Sequence, residues 1–278
     1  RFRPGVVGGR WVRCGVRRRH VSLRRSLRIR LQKVTATGLL PTVKFSVSSV
    51  WDIRARLYDV CESSDRRRGA HKAALFQDMR GKVLFVAVGT GLDIKRFPPG
   101  HEIVAIDFSE KMLRRAEHRR RRYRGTLAML QADALNLCFE DASFDTVVTS
   151  CTLCSVPDPI RALRELHRVL RPGGELLMFE HVRSRNPVLG TVLDLMTLWT
   201  RLWGTEMNRD TVRNAMAAGF RITRIDSVYL DIILSIHAQK IETTERRCSV
   251  PANRIPVTTS RPRNEAQAEV FEEAHYRA

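Results

Sequence analysis

The stretch KVLFVAVGTGLDI, residues 82–94, governs how the rest of the chain is read. Its first half is short, apolar and rich in β-branched and aromatic residues, and glycines end it. That pattern predicts a buried strand. Gly89 and Gly91 let the backbone run close to a ligand and turn sharply into the next element. Downstream, HEIVAIDF predicts a second strand that ends at Asp107. Ser109 is placed as the N-cap of a helix over EKMLRRAEHRRRR. TLAMLQAD and SFDTVVTSC read as strands three and four. Asp158 and Pro159 open the helix IRALRELHRVL, which RPGG stops, and GELLMFEHV is strand five. Residues 188–218 read as mainly helical, and FRITRIDSVYLD and IILSIHAQK as two final strands. Strands alternating with helices predict a mostly parallel sheet covered on both faces, closed by an antiparallel hairpin. The expected organisation is a basic disordered arm over 1–45, N-terminal helices over 46–80, one α/β domain over 81–240, and a polar tail over 241–278.

In an open α/β sheet, ligands bind outside the carboxyl ends of the strands. That rule selects four places. The first is the loop Val88, Gly89, Thr90, Gly91 and Leu92. The second is Asp107, a carboxylate at a strand end about 20 residues beyond a glycine loop, suited to a ribose diol. The third is Asp133 with Ala134, placed to accept from an exocyclic amine. The fourth is Ser150, Cys151 and Thr152, which would line the pocket floor. A nicotinamide dinucleotide fingerprint would want a further glycine where Ile94 stands. A phosphate-binding GK[ST] sequence is missing as well.

The formal net charge is +20, with 49 Lys and Arg against 29 Asp and Glu, and no acid precedes Asp52. The basic excess is therefore concentrated in the arm, which reads as a tether to nucleic acid or anionic lipid, an Arg-rich transit peptide, or a plain extension. No apolar run is long enough to span a bilayer. The six cysteines follow no zinc spacing, since Cys151 and Cys154 form a lone CxxC, and reduced thiols in a cytoplasmic protein are the expectation. Membrane association, or mitochondrial import through the arm, stays open beside it.

The segments VLFVAVGTGLDI, IVAIDFSEKMLRRA and LQADALNLCFEDASFDTVVTSCTLCSVPDPIRALRELHRVLRPGGELLMFEH resemble class I S-adenosylmethionine-dependent methyltransferases. The likeness is to the ubiquinone/menaquinone-biosynthesis type and its small-molecule, phospholipid and thiol-associated relatives. It spans about two thirds of the chain and implies a Rossmann-like, seven-stranded, mostly parallel sheet with an antiparallel last strand. It implies S-adenosylmethionine as cofactor and no metal. Gly89 and Gly91 would flank the methionine part, with Val88 and Thr90 in the same loop. Asp107 would hold the ribose. Phe108 and Met112 would pack near the adenine, and Asp133 and Ala134 would contact its amine. Ser150 would line the floor, and Tyr58, in LYDV, would cap the cofactor.

Two residues depart from the family pattern: Ala87 stands for the usual first glycine and Phe85 for the usual acid. Glu180 and His181, at the end of strand five, are candidate proton-transfer residues, although such a pair is often structural. The segment 183–210 is expected to meet the acceptor, with Asp194, Trp199 and Asn208 as candidate contacts. Its Trp and Leu content suits an apolar acceptor or a membrane edge, or equally a helix packed on the sheet. The function expected is methylation of a small apolar acceptor: a quinone precursor, a lipid head group or a thiol. The alternatives are nucleic-acid methylation, which the basic arm and Arg119–Arg122 motivate, and cofactor binding without catalysis, which Ala87 and Phe85 motivate.

Overall fold

A computed structural model describes residues 51–52, 54–55, 58–61 and 65–241. The expected basic arm, and the expected tail apart from Ile241, lie outside these residues. Two short N-terminal helices, α1 (Tyr58–Cys61) and α2 (Asp65–Phe76), precede β1 (Lys82–Val86). Next come β2 (Glu102–Asp107), α3 (Glu110–Arg120), β3 (Thr126–Gln131), β4 (Phe144–Ser150), α4 (Pro159–Val169) and β5 (Leu170–His181). The chain continues through α5 (Pro187–Thr200), a 3₁₀ turn (Arg201–Trp203), α6 (Thr211–Ala217), β6 (Phe220–Tyr229) and β7 (Ile233–Lys240). The seven strands form one sheet in the order β3-β2-β1-β4-β5-β7-β6. The first five are parallel, while β7 runs antiparallel to both of its neighbours. The order reverses at β1, which places a crevice between the carboxyl ends of β1 and β4.

The period-two alternation of β1 divides the core into two layers. Leu84 and Val86 join Leu163, Leu166 and Val169 of α4 and Ala215 of α6 on one face. Val83 and Phe85 join Leu75 and Phe76 of α2 and Leu113 and Ala116 of α3 on the other. Both faces of the strand are buried, so it reads as continuously apolar. Phe85 lies between Phe76 and Phe97, with ring centroids 5.7 and 4.8 Å away. The position usually given to an acid is thus occupied here by part of an aromatic cluster.

The helix starts obey their caps. The Ser109 hydroxyl accepts from Met112 N, and the Asp158 side chain accepts from Arg161 N. The expectation for RPGG needs correction. The helix does stop before it, at Val169, but Arg171 to Gly174 run on as the first part of β5. There a register shift against β4 and a left-handed Gly173 (φ 74°) absorb the extra residues. The thiols also differ from expectation: Cys151 and Cys154 are free, but Cys138 is engaged in a disulfide.

Truncating Phe85 removes the centre of the aromatic cluster. Phe85→Ala is expected to lower the unfolding free energy by about 3–5 kcal/mol, measured by denaturant titration followed by circular dichroism.

Candidate active site

A cavity of about 240 Å³ opens at the carboxyl ends of β1, β2 and β4. At its base stands Asp107, the last residue of β2. One carboxylate oxygen accepts from Gly89 N at 2.8 Å and the other from Ser109 N at 2.9 Å. The β1 loop is held against β2 by a second bond, Val88 N to Ile106 O at 3.0 Å. These bonds need a loop that curls tightly, and the backbone is left-handed at Ala87 (φ 56°), Gly89 (φ 57°) and Gly91 (φ 83°). Glycine adopts that region freely, whereas an alanine there costs about 1 kcal/mol. Burial pushes the Asp107 carboxyl up to about 6, against the pull of the Ser109 and Gly89 amides.

The structure brings most of the expected cofactor residues together. Tyr58, Gly89, Asp107, Phe108, Met112, Asp133, Ala134 and Ser150 all line the cavity. Val88 instead lines a smaller adjoining cavity of about 40 Å³. Thr90 and Gly91 line neither. The Thr90 hydroxyl donates to Asp59 at 2.5 Å. At Gly91 a Cβ would come within 2.7 Å of Ile94 and 3.0 Å of Ala116, so that glycine serves the packing of α3. Sequence reasoning missed Trp51, which lines the cavity and meets Tyr58 edge to face at 6.4 Å. It also missed Val156 and Pro157 on the far wall. The aromatic spacing of Trp51 and Tyr58 ahead of the first strand was a usable signal; nothing local marked the other two.

Lys72 and Asp93 were missed as well. In the smaller cavity the Lys72 ammonium donates to both Asp93 oxygens at 3.1 Å, and the Ser150 hydroxyl donates to the same carboxylate at 2.9 Å. This buried ion pair opens beside Gly89 and Ser150, at the methionine end of the expected cofactor. It supplies polar anchorage in a region where Phe85 supplies none.

Glu180 and His181 do not line either cavity. Glu180 is fully buried and accepts from Thr152 N at 3.0 Å and Leu153 N at 3.2 Å. Its carboxylate shapes the turn after β4 in place of facing a substrate. Burial raises Glu180 to about 7 and lowers His181 to about 4, so the imidazole is neutral at physiological pH. On α5, Asp194 accepts from Arg183 at 2.8 Å and from Asn208 at 3.0 Å. Trp199 is 74% exposed. None of Asp194, Trp199 and Asn208 lines the cavity. The arginine run is largely absorbed by the fold: Arg119 donates to Thr90 O and Asp59, while Arg120 and Arg121 pair with Glu117.

The residues present fit S-adenosylmethionine. Each Asp107 oxygen uses one lone pair on the backbone and keeps one for a ribose hydroxyl. Ile106, Phe108, Met112 and Leu135 offer apolar surface for a flat base, and Asp133 an acceptor for its amine. Asp107→Ala is expected to weaken S-adenosylmethionine binding by roughly ten- to hundredfold in calorimetry. The ribose hydroxyls need an ionised acceptor, and the free carboxyl titrates at about 6. Wild-type affinity should therefore be flat above that pH and fall about tenfold per unit below it. Ala87→Gly relieves the left-handed strain and is expected to raise the unfolding free energy by up to about 1 kcal/mol, read by thermal melting.

Residues 84–178 match the family model described as "Methyltransferase domain". The chain is 38% identical over 132 residues to phosphatidylethanolamine N-methyltransferase of Cereibacter sphaeroides, covering 46% of this chain and 63% of that protein. It is 35% identical over 132 residues to human thiol S-methyltransferase TMT1B, covering 43% of this chain and 53% of that protein. The matched region thus spans less than two thirds of either relative. A Bacillus halodurans protein assigned as a methyltransferase shares the fold, with a TM-score of 0.54 at 18% identity, covering 62% of this chain and 100% of that one. Sheet order, the Asp107 site and these likenesses agree: within residues 84–178 the chain is similar to methyltransferase domains, on a sheet and a site that fit S-adenosylmethionine.

Proposed function

We propose that the protein transfers the methyl group of S-adenosylmethionine to a small apolar acceptor, and that a thiol suits the site best. The observation that carries this is the make-up of the cavity wall. Among the described residues, the lining beside Asp107 and Asp133 holds no His, Lys, Arg or Glu, and its acceptor side is Cys151, Thr152, Ser155, Val156 and Pro157. Asp107 is committed to the loop and the ribose. Burial pushes the Cys151 thiol up to about 12, so it is neither base nor nucleophile.

A wall without a general base favours acceptors that ionise unaided near neutral pH. A thiol does so with a pKa of about 8.5, whereas an ammonium head group needs its proton removed. The relatives named for phosphatidylethanolamine and thiol methylation support a small or lipid acceptor.

When bound, the cofactor supplies a sulfonium whose methyl group is already activated. The chain has to hold donor and acceptor in line and exclude water. Asp107 and the Gly89 loop fix the donor, while Trp51 and Tyr58 cover it. Val156 and Pro157 offer the acceptor an apolar wall. A thiolate would take the methyl group: its sulfur lone pair would form the new C–S bond as the sulfonium's S–CH3 bond breaks, leaving that electron pair on the cofactor sulfur, which departs as a neutral thioether. The proton lost on ionisation goes to solvent, and no protein group need receive it.

The test is transfer of labelled methyl to three acceptors in parallel: a small apolar thiol, a hydroquinone and phosphatidylethanolamine vesicles. The thiol is expected to take label, with a rate rising about tenfold per pH unit up to its own pKa. Label only on the hydroquinone or the lipid would remove the thiol assignment. Cofactor binding without label on any of them would remove the catalytic reading.

A further inference from the structure

An unexplained apolar surface lies on α5. Along it Gly190, Leu193 and Thr197, spaced three and four apart, turn inward and are buried. The opposite face is also apolar: Val188, Leu195, Leu198, Trp199 and, in the following turn, Leu202 are all at least 60% exposed. Asp194 is the sole charge between Pro187 and Thr200, and it is tied to Arg183. A helix that is apolar on every side needs cover on every side. With 14 residues it is too short to cross a bilayer, and no helix of the described residues is long and apolar enough to do so.

The patch extends beyond the helix. Asp231 accepts from the Ser184 hydroxyl and from Arg185 N, both at 2.6 Å, and so holds the β6–β7 tip against the start of α5. At that tip Tyr229 and Leu230 are exposed. After α5 the chain returns to the cavity rim. Glu206 N donates to Cys154 O at 2.7 Å, and the Arg209 guanidinium donates to Leu153 O and Val156 O. The apolar face and the wall of the cavity are therefore joined through residues 153–156.

We infer that this face, α5 with the β6–β7 tip, seats the protein on an anionic phospholipid bilayer, with the helix lying flat in the interface. The charges select that occupant. Exposed Arg185 stands just before the helix, and Arg201, just after it, is paired with Glu206 at 3.1 Å, within a chain of net charge +20. Lipid phosphates would meet the Arg185 end favourably. Trp199, amphipathic and central in the patch, suits the depth of the head groups. Seated so, the cavity rim would face the membrane surface, where an apolar acceptor is concentrated.

The inference is tested without acceptor or turnover, so its fate is separate from that of the catalytic reading. The full-length chain is floated with phosphatidylcholine vesicles, with and without phosphatidylglycerol, beside Leu195→Ser/Leu198→Ser/Leu202→Ser. Calorimetric affinity for S-adenosylmethionine serves as the folding control. The wild type is expected to bind the anionic vesicles, and the triple variant at least about tenfold less, with cofactor affinity retained. Arg185→Glu should weaken binding to the anionic vesicles and leave that to pure phosphatidylcholine unchanged. Equal flotation of wild type and triple variant overturns the inference. So does a wild-type dimer in light scattering that the triple variant dissolves while vesicle binding persists, since the face would then belong to a second copy.

Discussion

Most of the site hangs on one carboxylate held by two backbone amides. Asp107 bonds Gly89 N and Ser109 N, and so ties the end of β1 to the end of β2 and to the first turn of α3. Burying a charge this deeply is unfavourable, as the rise of its pKa to about 6 records. The amides offset part of that cost, and a ligand's hydroxyl donors would offset more. The cavity floor is therefore better satisfied with its ligand than without it, which is how a binding site differs from ordinary core.

The N-terminal segment completes the enclosure through polar contacts and one aromatic pair. The Ser109 hydroxyl, already a helix cap, also donates to Asp52 at 2.5 Å. Asp59 receives Thr90 at 2.5 Å and Arg119 at 2.8 Å, while Arg54 reaches Thr205 at 3.3 Å. Trp51 and Tyr58 are thereby drawn over the cavity mouth. Such contacts are individually weak at partial exposure.

Elements with strong local signals were legible in the sequence. The β1 strand, the Ser109 and Asp158 caps and the closing hairpin each follow from a few adjacent residues. Asp107 was legible too, because a strand end and a glycine loop fix its place. What was hidden depends on long-range packing. Lys72 sits on a helix far from Asp93 in the pattern, and only folding makes them a pair. Arg119 to Arg122 read as a basic face, yet folding turns the first three toward Thr90, Asp59 and Glu117. The course of Arg171 to Gly174 reflects a bulge: Leu170 and Glu175 pair with Phe144 and Thr146 of β4, and the four residues between them are left over. Glu180, at a strand end, read as a candidate for proton transfer or for a structural role, and only folding brings it the amides of Thr152 and Leu153.

Cys151 sits on the wall of a cavity shaped for an alkylating cofactor, at a left-handed backbone position (φ 52°). An ionised thiol there would be a nucleophile on the wall of that cavity. Desolvation lifts its pKa to about 12, which keeps it a neutral thiol at neutral pH. The same dryness that seals the pocket therefore keeps a side chain of its own wall from competing for an alkylating ligand. It also spares the wall from disulfide exchange with any thiol that enters.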